Sequence, residues 1–208
     1  MNKIFPIILF ICALGICFPV AAQESKASSD EVQQIVRIPN KIKPISSTLS
    51  IDLPFTFDDP FISEEIPAEM KSWISSSKKC QADRVGLNVF ITVVQYTPDY
   101  IRNYITGNED MTLRNYLKGS MVNQMKEMEK KGQISAFSYR IMDIKPVGSK
   151  DKSLLLKGRY RESPLDFEVW MLQILHKKEI WQILFFFDPK NVAIQDAVEA
   201  ACFSAVIK

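Results

Sequence analysis

From Leu49 onward the chain alternates between two rhythms of apolar residues, one with the two-residue period of a strand and one with the period of a helix. Leu49, Ile51, Leu53, Phe55 and Phe57 alternate with smaller or polar residues and predict a half-buried strand, with Pro54 suited to an edge. Pro67 opens a short predicted helix behind Glu64 and Glu65, in which Met70, Trp73 and Ile74 share a stripe with Ile66. Val85 to Tyr96 predicts a strand that ends at Thr97-Pro98-Asp99. Thr112 then caps a longer helix in which Leu113, Leu117, Met121, Met125 and Met128 recur at helical spacing until Gly132 stops it. That methionine-rich stripe is read as core filling, since an unbranched thioether packs into irregular gaps.

Four runs rich in apolar and aromatic residues follow, Ile134 to Ile144, Ser153 to Arg161, Leu165 to Leu175 and Ile180 to Phe187. The short gaps at Glu162-Ser163-Pro164 and His176-Lys177-Lys178-Glu179 read as hairpin connections, so the runs predict an antiparallel meander. In the last run Trp181, Ile183, Phe185 and Phe187 alternate with Ile180, Leu184 and Phe186, so both faces are apolar and both need a cover. Asp188 and Pro189 start a closing helix with Ile194, Ala197, Val198, Ala201, Cys202 and Ala205 along one side, a stripe suited to close packing on a sheet. The fold class is therefore α+β, an antiparallel sheet with helices on both faces. If the hairpin loop after the second run extends from Glu162 to Leu165, Arg161 falls opposite Asp166, Arg159 opposite Glu168, Lys157 opposite Trp170, and Tyr160 opposite Phe167 on the more buried face.

The chain before Leu49 has a different character. Met1 to Lys3 is a short basic start, Ile4 to Val20 carries no charge, and Val20-Ala21-Ala22 followed by Gln23 matches a signal-peptidase site. Residues 1–22 are expected to be a signal peptide cleaved after Ala22, which puts the mature protein in the periplasm or outside the cell. The rival reading is an uncleaved anchor, the one membrane attachment the chain offers, with Pro6 and Pro19 weighing against it. Lipidation is not expected, because Cys12 and Cys17 each follow an isoleucine. Residues 23–47 are polar and interrupted by Pro39 and Pro44, and read as a tether that leads into a single domain over residues 48–208. Val36, Ile38 and Ile42 leave open a docking-peptide role for this stretch.

Charge and composition then narrow the chemistry. The chain has 26 Lys and Arg against 24 Asp and Glu, and the signs are interspersed, so it has no basic field to recruit nucleic acid. The single histidine, His176, lies in a predicted hairpin turn beside Lys177 and Lys178 and is read as a solvated loop residue. One histidine, with Cys80 and Cys202 as the cysteines left after cleavage, cannot assemble the usual zinc ligand sets. The glycines are too far apart for a phosphate-cradling loop. Asp58, Asp59, Glu64 and Glu65 surround Phe61 and could gather round calcium, but their spacing matches no standard calcium loop and negative charge also suits a helix start. No catalytic residue, cofactor site or metal site is assigned.

The order of elements resembles the PsbP-like and DcrB-like superfamily of small exported bacterial and thylakoid-lumen domains. The resemblance runs from about Leu49 to Lys208 and rests on Leu49-Ser50-Ile51-Asp52-Leu53-Pro54, Val94-Gln95-Tyr96-Thr97-Pro98, Trp181-Gln182-Ile183-Leu184 and Cys202-Phe203-Ser204-Ala205-Val206-Ile207. It implies an α/β/α sandwich, and a family whose better-known members are accessory or assembly factors. The family pattern supplies no catalytic residues to carry over, and a shared fold is a weak warrant for function.

Three functions stay open. The first is a non-catalytic exported interaction protein of the bacterial envelope that binds a protein partner, with Arg159, Arg161, Asp166 and Glu168 as a partner surface. The second is a small-ligand binding protein with Trp73, Tyr160, Trp170 and Phe185 lining a pocket. The third is a hydrolase, which would need two carboxylates facing one cavity with their pKa values pushed apart. Cys80 and Cys202 are either a disulfide, which would close a long loop in an oxidising compartment, or two separately buried thiols.

Overall fold

The computed structural model describes residues 35–208, Val85 excepted. The expected signal peptide and the start of the expected tether, residues 23–34, lie outside the described residues. The rest of that tether belongs to the fold. Strand β1 (Ile38–Ile42) pairs antiparallel with β2 (Leu49–Leu53), so Ile38 and Ile42 serve in a sheet where a tether was expected. Asn40 fixes the entry by donating to the carbonyls of Ile38 and Phe55 at 2.8 and 3.1 Å and accepting from the Phe57 amide at 2.7 Å.

The main body is a seven-stranded sheet, mostly of long antiparallel pairs, ordered β3-β4-β5-β9-β8-β7-β6. Its strands are β3 (Ile62–Ser63), β4 (Ile74–Arg84), β5 (Leu87–Tyr96), β6 (Ser135–Ile144), β7 (Lys152–Glu162), β8 (Leu165–His176) and β9 (Glu179–Phe187). The last four form the expected meander, and β9 is buried along all 9 residues. The hairpin between β7 and β8 has the expected register, with Arg161 opposite Asp166, Arg159 opposite Glu168, Lys157 opposite Trp170 and Tyr160 opposite Phe167. The rings of Tyr160 and Phe167 stack at 5.4 Å.

Each face of this sheet carries its own cluster of buried apolar residues. On one face Trp170, Leu172, Trp181, Ile183 and Phe185 meet Leu49, Ile51 and Leu53 of β2 and Val198, Ala201 and Cys202 of helix α4 (Val192–Ser204). The small sheet completes that side, with β10 (Val206–Ile207) pairing to β2. The strand expected at Leu49 thus belongs to a separate three-stranded sheet, order β1-β2-β10. On the other face Val169, Met171, Ile180, Leu184 and Phe186 meet Leu113, Leu117, Met121 and Met125 of the long helical segment. That segment comprises α2 (Glu109–Leu117), a π-helical turn over Lys118–Val122, and α3 (Asn123–Lys130). Each fully buried apolar side chain of this kind contributes about 1.5–3 kcal/mol.

Three local expectations are corrected. The helix expected after Pro67 is a short 3-10 turn, Ala68–Met70, and Ile74 already starts β4, which pairs with β5 as far as Arg84. Thr97-Pro98-Asp99 ends a strand as expected but also begins a helix, α1 (Pro98–Tyr100), continued as a π-helical turn over Ile101–Ile105. Thr97 caps it by accepting from the Tyr100 amide, and Pro98 suits the first helical position. The long helix starts at Glu109, before Thr112.

Among the described residues Cys80 and Cys202 are free and buried, so the disulfide left open by the sequence is not formed. Cys80 is in mid-β4, where Ile91 of β5 is its partner, and not at a helix end. Cys202 lies on helix α4, which packs over β9, and β5 separates β9 from β4, so two interstrand steps, ~10 Å in all, lie between the strand under α4 and the strand of Cys80. A disulfide needs Cα atoms within ~7 Å. Burial, with Asp59 nearby, pushes the Cys80 thiol up to about 11, and burial pushes Cys202 up to about 12. In protein lacking residues 1–22, neither thiol is expected to react with a thiolate-selective reagent at pH 8 until the chain unfolds, whereupon two thiols should appear. A count of zero in denaturant would show that the pair is bonded.

Candidate functional site

One end of the large sheet carries a row of polar side chains that the neighbouring strands bring into line. His176 ends β8, Glu179 begins β9 directly opposite it, and Gln95 near the end of β5 is the partner of Glu179 on the other side. Glu179 is 1% exposed and His176 8% exposed, so the expectation of a solvated turn is wrong for both. The two-residue turn holds only Lys177 and Lys178.

Burial alone would raise the Glu179 carboxyl, and it is the strongest single influence on it. Hydrogen bonds from Ser46, Ser47, Trp181 and Gln95 together outweigh burial and hold the carboxyl below its ordinary value. Trp181 Nε1 and Gln95 Nε2 each donate at 3.1 Å, the Ser46 hydroxyl donates closely, and Gln95 also reaches Ser46 Oγ at 3.0 Å. The loop after β1 folds over the sheet end to supply these serines, joining residues 133 positions apart in sequence.

His176 is held by a second carboxylate. Its Nδ1 lies 3.0 and 3.1 Å from the two oxygens of Asp151, which requires Nδ1 to carry the proton. Nε2 is buried without a hydrogen-bond partner among the described residues, so no hydroxyl or thiol there is placed for the ring to activate. Asp151 is oriented in turn by the Ser149 hydroxyl, which accepts from the Asp151 amide at 3.1 Å. The pair is packed as a buried structural contact at the edge of the core.

The charged ladder on β7 and β8 satisfies itself. Glu168 Oε1 accepts from Arg159 Nε and Nη2 at 2.9 and 2.6 Å, and its Oε2 accepts from Trp170 Nε1 at 2.9 Å. Arg161 and Asp166 make a bidentate pair, whose guanidinium lowers the Asp166 pKa. Lys157 sits 3.5 Å from the centroid of the Trp170 ring and 3.0 Å from Glu199 of α4. The four residues expected as a partner surface therefore neutralise one another.

The aromatics proposed for a pocket are not brought together. Trp170 and Phe185 lie in the cluster under α4, while Tyr160 lies in the cluster on the opposite face with Trp73 packed against it. The acidic group near Phe61 is also dispersed into pairs, with Asp59 bidentate to Arg84 at 3.0 Å and Glu64 bonded to Lys79 and Ser77. Among the described residues no cluster of three or more His, Cys, Asp or Glu could hold a metal ion, and no helix is long and apolar enough to cross a membrane.

Comparison with known proteins finds no matching family model and no matching curated protein. Two solved structures are similar at 11% identity. PA94, a Pseudomonas aeruginosa protein of unknown function, is matched over 81% of this chain and 94% of that one with a TM-score of 0.36. LpqN of Mycobacterium tuberculosis, described as involved in cell envelope biogenesis, is matched over 83% of this chain and 91% of that one with a TM-score of 0.42. Both scores lie below 0.5 and support no inference about fold or function.

Because the folded-state pKa of Glu179 is lowered, its ionised form contributes stability that is fully present above the unfolded value of ~4.3 and is lost as pH falls through the folded value. Glu179→Gln is expected to lower the urea midpoint at pH 7 and to flatten its fall on acidification, so that the difference between the two proteins shrinks as pH falls below the unfolded value. Parallel curves from pH 7 to 3 would show that the carboxylate charge is not what the network stabilises.

Proposed function

We propose that this chain is a non-catalytic exported accessory protein of the bacterial envelope that works by binding a protein partner along the free edge of its large sheet. In this reading the domain is an α/β/α sandwich of the PsbP-like and DcrB-like kind. The observation that carries it is β6. This strand has 10 residues, pairs with β7 on one side and, among the described residues, with no strand on the other. The opposite edge is blunted by the two-residue β3.

An edge of that length presents a row of unpaired amides and carbonyls, which proteins normally shorten, bend or charge. Only its first part is bent: Ala136 has φ +55, the register slips between Ser135 and Ser138, and the Phe137 amide is occupied by Glu129, while the rest carries the charges of Arg140 and Asp143 but no bend. From Ser138 to Ile144 the register is regular and the exposed side chains include Tyr139 and Met142. An extended segment of a partner could add there as a further strand, with backbone bonds giving affinity and Tyr139 and Met142 giving choice. The absence of catalysis in this reading rests on the chemistry of the polar row. Glu179 is held ionised by donors that occupy its oxygens, and a general acid would need the opposite.

Photo-crosslinkers placed at Tyr139 and Met142 in cells are expected to trap a common protein, whereas one at exposed Val192 traps none. Met142→Lys should weaken that adduct from the neighbouring Tyr139 position about tenfold while leaving the melting temperature unchanged. Adducts of equal yield at all three positions, or none at β6, would contradict the assignment.

A further inference from the structure

The end of the sheet that buries Glu179 also opens to the surface as a cavity of about 620 Å³. That is within the range of small-molecule sites, ~300–1,000 Å³. Its walls combine Ser46 and Ser47 with Arg102, Lys177, Lys178 and Lys208, and Glu179 is the one carboxylate side chain among the lining residues. Cationic side chains therefore outnumber anionic ones among the lining residues, four to one. Glu179 supplies a single negative charge, and its oxygens accept from Ser46, Gln95 and Trp181, not from the lysines. Arg102 is paired with Asp99, but Lys177, Lys178 and Lys208 make no ion pair among the described residues.

A second observation points the same way. Lys177 occupies the first place of a two-residue hairpin turn with φ +51, in the left-handed region. Turns of this kind are ordinarily given glycine, asparagine or aspartate, which reach that conformation at little cost. A lysine there breaks the local rule, and strained positions of this sort concentrate where a ligand is held. Lys177 and its neighbour Lys178 both line the cavity.

We infer that this cavity binds a small phosphorylated molecule, whose phosphate dianion is met by Lys177, Lys178 and Lys208. Three lysines suit phosphate as mobile point charges, and a single carboxylate would leave most of their charge unbalanced. The inference is independent of the partner edge: β6 is the outermost strand on the far side of β7, and none of its residues lines the cavity.

The test is a titration of the full folded domain with glycerol 3-phosphate and with inorganic phosphate, against acetate and glycerol at constant ionic strength. It is followed by amide chemical shifts and by calorimetry. Saturable shifts at Lys177, Lys178 and Lys208 with both phosphates, and none with acetate or glycerol, are expected. Lys178→Gln and Lys208→Gln should each weaken binding about tenfold without a change in melting temperature. Lys177→Asn should weaken it similarly while raising the melting temperature by roughly 2–4 °C, since asparagine relieves the turn. Failure of either phosphate to bind saturably, an equal response to acetate, or unchanged affinity in the lysine variants would overturn the site. Tighter binding of a poly-glutamate peptide than of glycerol 3-phosphate would also overturn it, by giving the surface to an acidic protein.

Discussion

The rest of the structure depends on one strand that is apolar on both faces. β9 places Trp181, Ile183, Phe185 and Phe187 on one side and Ile180, Leu184 and Phe186 on the other, and none of them is stable against water. Two covers follow from that. The small residues of α4, with Ala197, Ala201 and Ala205 on its inner side, let one cover approach closely, and β2 fills the area beside it. The longer leucines and methionines of α2 and α3 fill the other side. The sheet grows outward from β9 in both directions and ends differently at its two edges, in the two-residue β3 and in the ten-residue β6.

Two groups of polar side chains near the core are tolerated because they are paired, whereas His176 Nε2 and the Gln173 amide are buried without a hydrogen-bond partner among the described residues. Glu179 collects donors from three separate parts of the chain, so its charge is solvated by protein groups. The ladder of Arg159, Arg161, Asp166 and Glu168 closes on itself and on Trp170. The lysines around the cavity and the outer backbone of β6 are the two places where binding is proposed.

The meander and its register were legible because local rules agreed there. Opposite charges fell opposite each other at two rungs of one hairpin and a lysine fell opposite an indole at a third, and the apolar rhythm fixed the face of each residue. Helix α4 was legible for the same reason. The polar row was not, although a signal existed: Glu179 is in phase with Trp181 and Ile183, and His176 with Ile174, so both shared the buried face. The sequence His176-Lys177-Lys178-Glu179 looks solvated because the groups that bury it, Ser46 and Asp151, come from distant loops. The helix expected after Pro67 failed through ambiguity of period, since Ile66, Met70, Trp73 and Ile74 fit a helical stripe as readily as a turn running into a strand.

Native-state hydrogen exchange tests most directly whether a doubly covered central strand and an open edge coexist in this sheet. Amides of β9 should exchange only by global unfolding, with protection that falls one for one with stability as denaturant is added. Alternate amides of β6 between Ser138 and Ile144, those that point away from β7, should exchange near the rate of an unfolded chain. If every amide of β6 is as protected as those of β9 in the isolated protein, the edge is already covered and the central claim is wrong.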